Sequence, residues 1–200
     1  MRVFGRFSTA VIVAAIFFLQ CDAVCQEPSS DDRNWDFSIW ATGATGEENT
    51  NSLSEAQLVS AGVFVGKTIK HDVGSGWRRG YFEYAASLSP VFLQLGPRSL
   101  HGIEFDPVIL RWNSNLRFGR AAPYIELAGG GVQTNRNFPA GDTSDFNFTV
   151  RGGGGVYLPA KSNRGWDAGV RWTHISNANL GTQNPEFNGV EIRLAYHWYR

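Results

Sequence analysis

The residues best suited to do chemistry are a histidine and a serine that lie two positions apart. His174 and Ser176 stand in the run His174-Ile175-Ser176-Asn177. Side chains at positions i and i+2 of a β-strand point to the same face, so an extended backbone brings the imidazole beside the hydroxyl. An imidazole in that place can take the hydroxyl proton and make the serine a nucleophile toward an ester carbonyl. The spacing therefore indicates ester hydrolysis.

A purely structural interpretation of the same pair stays open. Both residues continue the apolar face of Val170 and Trp172, and they lie where the predicted strand ends. If this strand belongs to a membrane β-barrel with that apolar face toward lipid, polar side chains near the membrane interface cost only about 0–1 kcal/mol. His174 and Ser176 would then belong to an interfacial band, and the strands that position them must be considered next.

The chain is rich in β-strand patterns and contains almost no helical periodicity. Alternating or β-branched runs bounded by Gly, Asn, Ser and Pro predict eight strands, at 35–43, 57–69, 77–93, 103–113, 123–134, 145–158, 165–176 and 188–199. Mostly long polar breaks, at 44–56, 94–102, 135–144 and 177–187, alternate with shorter ones at 70–76, 114–122 and 159–164. An even strand number with this layout predicts an all-β fold, an eight-stranded antiparallel transmembrane β-barrel over residues 35–200 with both termini in the periplasm.

The last strands show which side chains face lipid. Their apolar positions alternate with polar ones, as in Trp166, Ala168, Val170 and Trp172 and again in Val190, Ile192, Leu194, Tyr196 and Trp198. The opposite faces carry charges of both signs, namely Arg151, Asp167, Arg171, Glu191 and Arg193, with Glu126 as a further candidate. Eight strands leave room only for side chains, so we expect a lumen closed by ion pairs. The faces of segments 77–93 and 103–113 cannot be assigned, because these two segments alternate poorly.

Composition and the first residues define the compartment. Arg2 and Arg6 precede the apolar run 11–19, which predicts a signal peptide over residues 1–23 and a polar lead-in over 24–34. A lipid anchor on Cys21 or Cys25 is the less favoured alternative. Both cysteines lie within the first 25 residues, and the 18 basic residues of the whole chain balance its 18 acidic ones, so we expect neither thiol chemistry in the folded body nor nucleic-acid binding.

Two further alternatives are disfavoured by the pattern. The run Gly152 to Gly155 lies inside a predicted strand without a following Gly-Lys-Ser/Thr, which favours close packing over phosphate binding. A soluble barrel that binds an apolar ligand would leave the outward Trp, Val, Ile and Leu side chains exposed to water.

The residues around the pair resemble a known family. The run His174 to Leu180 is similar to the His-x-Ser-Asn-Ala-Gly-Leu signature of the lipid A 3-O-deacylases, also described with acyloxyacyl hydrolase-like proteins. Weaker similarities lie in residues 43–46, 89–92, 123–126 and in Asn184-Pro185. The resemblance implies a Ser/His esterase of the cell outer membrane, with its active site facing the outer leaflet and lipid A of lipopolysaccharide as substrate. It also implies that Asn177 stabilises the oxyanion. No His, Asp or Glu cluster of the sequence has metal-ligand spacing and Ser/His chemistry requires none, so we expect neither a metal nor a cofactor.

The sequence departs from the family at the acid that orients the histidine. The position expected for that Glu is Asn188, and the nearest carboxylates are Glu186 and Glu191. Glu191 alternates with Arg193 on the lumen side, whereas Glu186 and Asn188 extend the outward face. Either Glu186 reaches the histidine from the end of the loop, or Asn188 orients it through its side-chain carbonyl. Asn179 in place of the family's Gly is a smaller departure, because Asn tolerates left-handed backbone conformations.

Two functional hypotheses follow from the sequence. The first is an outer-membrane esterase that removes the 3-O-linked acyl chain of lipid A. The second is a catalytically weakened or inactive relative that acts as a lipid-binding or structural barrel. Outer-membrane lipids are partners in both hypotheses, and a homodimer is compatible with either.

Overall fold

The strands close into a single barrel. A computed structural model of the chain describes residues 34–46, 56–95, 98–139 and 143–200. The eight strands are β1 (Trp35–Gly46), β2 (Gln57–Val73), β3 (Gly80–Leu95), β4 (Leu100–Ser114), β5 (Ala122–Thr134), β6 (Phe146–Ala160), β7 (Arg164–Ser176) and β8 (Phe187–Tyr199). Each strand pairs with the next in antiparallel fashion, and β1 pairs with β8. The predicted fold class, the number of strands and their order are confirmed, and the predicted leader 1–23 lies outside the described residues.

The connections divide the barrel into two ends. We call the end where β7 stops and β8 starts the site end, and the end that holds Asn34 and Arg200 the termini end. The prediction of long loops at the site end is wrong for one of them, since only residues 96–99 separate β3 from β4. At this end β3 stops later and β4 starts earlier than predicted, because the residues there still pair, as Gln94 does with Leu100. The 3-10 turn Gly76–Arg78 likewise replaces the predicted start of β3.

Irregular pairing explains why β3 and β4 alternate poorly in the sequence. The register of β3 against β4 shifts between Ser89 and Phe92, and that of β4 against β5 shifts between Phe105 and Val108. Pro90 and Pro107 lie inside these two shifts, where the ladder does not require a backbone N–H. An extra residue at a bulge reverses the inward and outward positions that follow it.

The outer surface is apolar all the way round. Large hydrophobic side chains are exposed on every strand, for example Ile39, Val63, Leu88, Leu110, Ile125, Val150, Val170 and Leu194. Such a continuous belt suits lipid, whereas in water it would form an unusually large exposed patch. Among the described residues, no helix is long and apolar enough to cross a membrane.

Ion pairs fill the lumen, as the inward charges predict. Glu126 binds Arg111 through one oxygen (2.7 Å) and Arg171 through the other (3.0 Å). Arg171 also binds Glu191, and Arg193 binds Asp167. Every one of these side chains is almost completely buried. Each of these buried charges therefore has a partner of opposite sign, which is the condition for keeping charge inside a protein.

The glycine run of β6 serves packing against β7. A Cβ on Gly153 would collide with the backbone of Val170 and Arg171, and one on Gly155 would collide with the backbone of Ala168 and Gly169. The tight inner curvature of a small barrel at this seam leaves no space for a side chain.

An apolar cap closes the lumen at the site end. Ile175 and Phe187 are direct partners across β7 and β8, and both are fully buried. Phe138, from the connection between β5 and β6, packs against Phe187 with their ring centroids 6.2 Å apart. Because neighbouring residues of a strand point to opposite faces, the burial of Ile175 and Phe187 turns His174, Ser176 and Asn188 outward.

Candidate active site

A chain of hydrogen bonds runs along the outer surface at the site end. Ser176 Oγ lies 2.9 Å from His174 Nε2, and His174 Nδ1 lies 2.8 Å from Asn188 Oδ1. Asn188 Nδ2 in turn donates to Glu186 Oε2 over 3.1 Å. The structure thus brings together all four residues that the sequence nominated for catalysis.

Strand pairing produces this arrangement. His174 is the direct partner of Asn188 across β7 and β8, and Ser176 is two residues further along β7. Ser176 and Asn188 are each only 8% exposed, whereas His174 and Glu186 are half-buried. Neighbouring groups therefore cover most of Ser176 and Asn188, and His174 and Glu186 are the more accessible members of the site.

The carboxylate of Glu186, the last member of this hydrogen-bond chain, fixes which groups donate and which accept. A carboxylate of Glu186 can only accept, so the Asn188 amide must direct its NH₂ toward Glu186 and its carbonyl oxygen toward His174. His174 Nδ1 then carries the proton, and the lone pair of Nε2 faces the Ser176 hydroxyl. This is the tautomer that a general base for Ser176 requires.

Asn188 contacts the imidazole through its side-chain carbonyl oxygen, which is the second of the two alternatives drawn from the sequence. Glu186 contacts Asn188 and not the imidazole, and Asn188 stands between them. Glu191 points into the lumen and binds Arg171, as its alternation predicts.

A tryptophan that sequence reasoning assigned only to the lipid face also belongs to the site. The rings of Trp172 and His174 stack with centroids 5.8 Å apart and planes 16° apart. The stack holds the plane of the imidazole against the indole ring, beside its hydrogen bonds to Ser176 and Asn188. The sequence did contain a signal for this contact, because Trp172 and His174 are two residues apart and so share one face of the strand.

Asn177 organises the turn that follows the serine. Its side-chain Nδ2 donates to Gln183 O (2.8 Å), and its Oδ1 accepts from the backbone N–H of Asn179 (3.0 Å). Its own backbone N–H donates to Asn184 Oδ1 over 3.0 Å. An amide nitrogen carries two hydrogens, of which the bond to Gln183 uses one.

The turn itself has left-handed backbone geometry. Ala178 and Asn179 have φ values of 51° and 63°, and the N–H of Leu180 donates to Asn177 O over 3.0 Å. These are the features of a type I′ turn. Asn179 is well suited to its position, whereas Ala178 holds a conformation that non-glycine residues rarely adopt.

Small residues lower the outer surface beside the histidine. Val150 is the partner of His174 on β6, and the outward position two residues further along β6 is Gly152, which pairs with Leu127 and Trp172. A Cβ on Gly152 would meet only Leu127 at 3.6 Å, and one on Gly129, opposite Val150, would have its nearest neighbour at 4.0 Å. Absent side chains at both positions leave a shallow apolar depression next to the site.

The described residues contain no group of three or more His, Cys, Asp or Glu side chains arranged to hold a metal ion. The chemistry described above uses only a hydroxyl, an imidazole, amides and a carboxylate.

A closed barrel with an apolar outer surface is the architecture of an outer-membrane protein, and a serine hydrogen-bonded to a histidine is an arrangement that ester hydrolases use. The family model described as lipid A 3-O-deacylase (PagL) matches residues 30–197, so the chain belongs to this family of ester hydrolases.

Solved structures support the fold. The crystal structure of the outer membrane enzyme PagL matches with 18% identity and a TM-score of 0.50, covering 82% of this chain and 99% of that one. Neisserial surface protein A matches with 14% identity and a TM-score of 0.56, covering 83% and 97%. OprG of Pseudomonas aeruginosa matches with 11% identity and a TM-score of 0.51, covering 84% and 98%. No curated protein sequence matches the chain significantly.

Proposed function

We propose that this chain hydrolyses the ester-linked acyl chain at position 3 of lipid A, with Ser176 as nucleophile and His174 as general base. The observation that carries the proposal is the continuous hydrogen-bond chain from Ser176 Oγ to Glu186 on a lipid-facing surface. Family membership supplies the substrate, since the matching model is that of the lipid A 3-O-deacylases.

The reaction has two balanced halves. His174 Nε2 takes the Ser176 proton while Oγ attacks the ester carbonyl, and the resulting imidazolium gives the proton to the departing 3-hydroxyl of the sugar. Water then attacks the acyl-serine, with its proton passing through His174 to Ser176 as the fatty acid leaves. The second amide hydrogen of Asn177 is our candidate donor to the oxyanion, because the bonds to Gln183 and Asn179 fix that side chain without using this hydrogen.

With Glu186 behind it, Asn188 can orient His174 in the place of the acid that a catalytic triad usually contains. In serine proteases, changing the acid of the triad to an amide lowers kcat about 10⁴-fold, because the amide stabilises the wrong histidine tautomer. Here the Glu186 carboxylate prevents that orientation, since turning the Asn188 amide over would set two oxygens against each other. Glu186 is thus a positioning residue that acts through Asn188.

The surface beside the site suits an acyl chain. Phe148 and Val150, the β6 partners of Ser176 and His174, are 43% and 44% exposed, and the depression at Gly129 and Gly152 adjoins them. An apolar chain lying there would be positioned with its ester near Ser176 Oγ while its tail stayed in the membrane.

The same geometry supports an orientation in the membrane. Lipid A forms the outer leaflet, so a site that takes its substrate laterally from the bilayer must lie at that depth. We therefore infer that the site end of the barrel faces the cell exterior and that the termini end faces the periplasm.

The second candidate, an inactive or weakened relative that acts as a lipid-binding or structural barrel, rested on the absence of the acid. Asn188 occupies the position next to His174 where the acid is expected, so the experiment below also tests this second candidate. The carboxylate behind it argues for the enzyme instead.

Mass spectrometry of lipid A from cells that express the chain tests the proposal. Wild type should yield lipid A lacking one ester-linked acyl chain, and Ser176→Ala and His174→Ala should each abolish that product. Ser99→Ala and His101→Ala are matched controls, because both residues are exposed at the same end but outside the hydrogen-bond chain. Activity retained by Ser176→Ala would disprove the nucleophile, and an inactive wild type would favour the second candidate.

A further inference from the structure

The sequence is formally neutral, but its described residues separate charge along the barrel axis. In that described part, nine basic residues lie at the termini end, namely Lys67, Lys70, Arg78, Arg79, Arg117, Arg120, Lys161, Arg164 and Arg200. We call this group the basic collar. Among the described residues, the one exposed acidic side chain at that end is Asp72, which is bound to Arg79 (2.7 Å). The described part of the site end is balanced instead, with Arg98 and Arg136 against Asp145 and Glu186.

Part of the collar lies on the lipid-facing surface. Lys67 is the partner of Trp35 across β1 and β2, and its Nζ lies 5.2 Å from the centre of the Trp35 ring. Arg164 is the partner of Trp198 across β7 and β8. Both basic residues occupy outward positions, Lys67 opposite the first residue of β1 and Arg164 at the start of β7, so their charges lie beside the bilayer and not in the lumen.

Tryptophans fix the depth of these charges. Trp35, Trp77, Trp166 and Trp198 are all exposed at the termini end, and Arg78 lies over the Trp77 ring at 5.5 Å. Exposed tryptophans gather at the head-group level of a membrane, where their apolar ring and polar N–H are both satisfied. Lys67 and Arg164 therefore lie at the level of the phosphates, within reach of their long side chains.

We infer that the basic collar binds the head groups of anionic phospholipids in the leaflet at the termini end. Lysine ammonium and arginine guanidinium groups both bind phosphate, and the arginine fork does so with two hydrogen bonds. A phosphatidylglycerol head group presents a phosphate without a cation of its own, whereas the ammonium of phosphatidylcholine competes with the protein. Naming this leaflet as the periplasmic one rests on the orientation proposed above, but the binding itself does not depend on catalysis.

Native mass spectrometry of the folded full-length chain tests the inference. The protein in detergent is mixed with phosphatidylglycerol or phosphatidylcholine of identical acyl chains, and the bound lipids are counted. Wild type should prefer phosphatidylglycerol, and the preference should fall as salt is raised. The double variant Lys67→Gln, Arg164→Gln should lose about fivefold in relative affinity for each residue removed.

The matched control removes the same charge from the other end. Arg98→Gln, Arg136→Gln should keep the wild-type preference, and heat-modifiable migration on gels should verify that both double variants fold. Equal binding of the two lipids by wild type, or equal losses in the two double variants, would overturn the inference. Loss of binding to isolated peptidoglycan in the collar variant, with an unchanged lipid preference, would identify a different partner and also overturn it.

The collar and the proposed active site can fail separately. Deacylation measured on the same samples should be unchanged in the collar variant, because Lys67 and Arg164 lie at the opposite end from Ser176. An inactive wild type that still prefers phosphatidylglycerol would refute the esterase and leave the collar standing.

Discussion

The carboxylate of Glu186 lies 3.1 Å from the side-chain nitrogen of Asn188 and thereby decides which end of that amide His174 meets. The carbonyl oxygen of Asn188 faces His174 Nδ1 at 2.8 Å as a result. An asparagine alone could present either its oxygen or its NH₂ to the ring, and only the oxygen leaves Nε2 as the base for Ser176. The carboxylate therefore does not contact the histidine itself, but it still selects the His174 tautomer through Asn188.

The first prediction concerns Glu186 as a positioning residue. Glu186→Gln should lower kcat by on the order of 10²-fold with little change in KM, because Gln can also donate and so lets the Asn188 amide turn over. Asp145→Asn, which neutralises an exposed carboxylate at the same end, is the control and should be neutral. Steady-state kinetics on purified lipid A provide both constants, and a loss confined to KM would assign Glu186 to substrate binding instead.

The second prediction moves the carboxylate back to the position next to the histidine. Asn188→Glu alone sets two carboxylates side by side, and their repulsion limits the gain. The double variant that combines Asn188→Glu with Glu186→Gln avoids this repulsion. The amide at position 186 donates to the carboxylate at position 188, and that carboxylate forms a charge-assisted hydrogen bond to His174 about twice as strong as the neutral one. The double variant should therefore be faster than wild type and faster than either single variant. A double variant slower than Glu186→Gln alone would contradict the proposed relay.

The third prediction fills the apolar depression. Gly152→Val adds a side chain between Leu127 and Trp172, where the present surface leaves space. We expect kcat/KM to fall on the order of tenfold for long acyl chains and less for short ones. Gly43→Val is the control, because Gly43 also faces outward with nothing within 4 Å but lies on β1, away from His174. Equal losses for all chain lengths would argue against an acyl-binding role for the depression.

The fourth prediction concerns the ion pairs of the lumen. Glu126→Gln leaves the buried guanidinium groups of Arg111 and Arg171 short of one negative charge, and breaking a buried pair in this way costs about 3–5 kcal/mol. Urea unfolding of the protein in lipid bilayers measures the free energy of unfolding. Asp72→Asn, which breaks an exposed pair with Arg79, should leave that free energy unchanged. Similar effects of the two substitutions would show that the lumen pairs contribute little.

The sequence alone determined the architecture because a membrane barrel imposes a period of two on every regular strand. Trp166 to Trp172 and Val190 to Trp198 showed their lipid face directly, and the eight strands followed from the breaks between them. Where bulges at Pro90 and Pro107 shift the register, the period fails, and the faces of β3 and β4 needed the structure. The same period of two indicated the pair His174 and Ser176, because residues two positions apart in a strand point to the same face.

Only the tertiary structure showed where the carboxylate lies relative to the histidine. Asn188 and Glu186 were both candidates from their positions on the outward face, but alternation states only the face and not which atom meets which. Strand pairing set Asn188 opposite His174, and the end of the loop set Glu186 behind Asn188. The stack of Trp172 on His174 and the depression at Gly152 likewise depend on neighbours across strands. Such contacts join residues far apart in the chain, and only the closed register of the barrel brings them together.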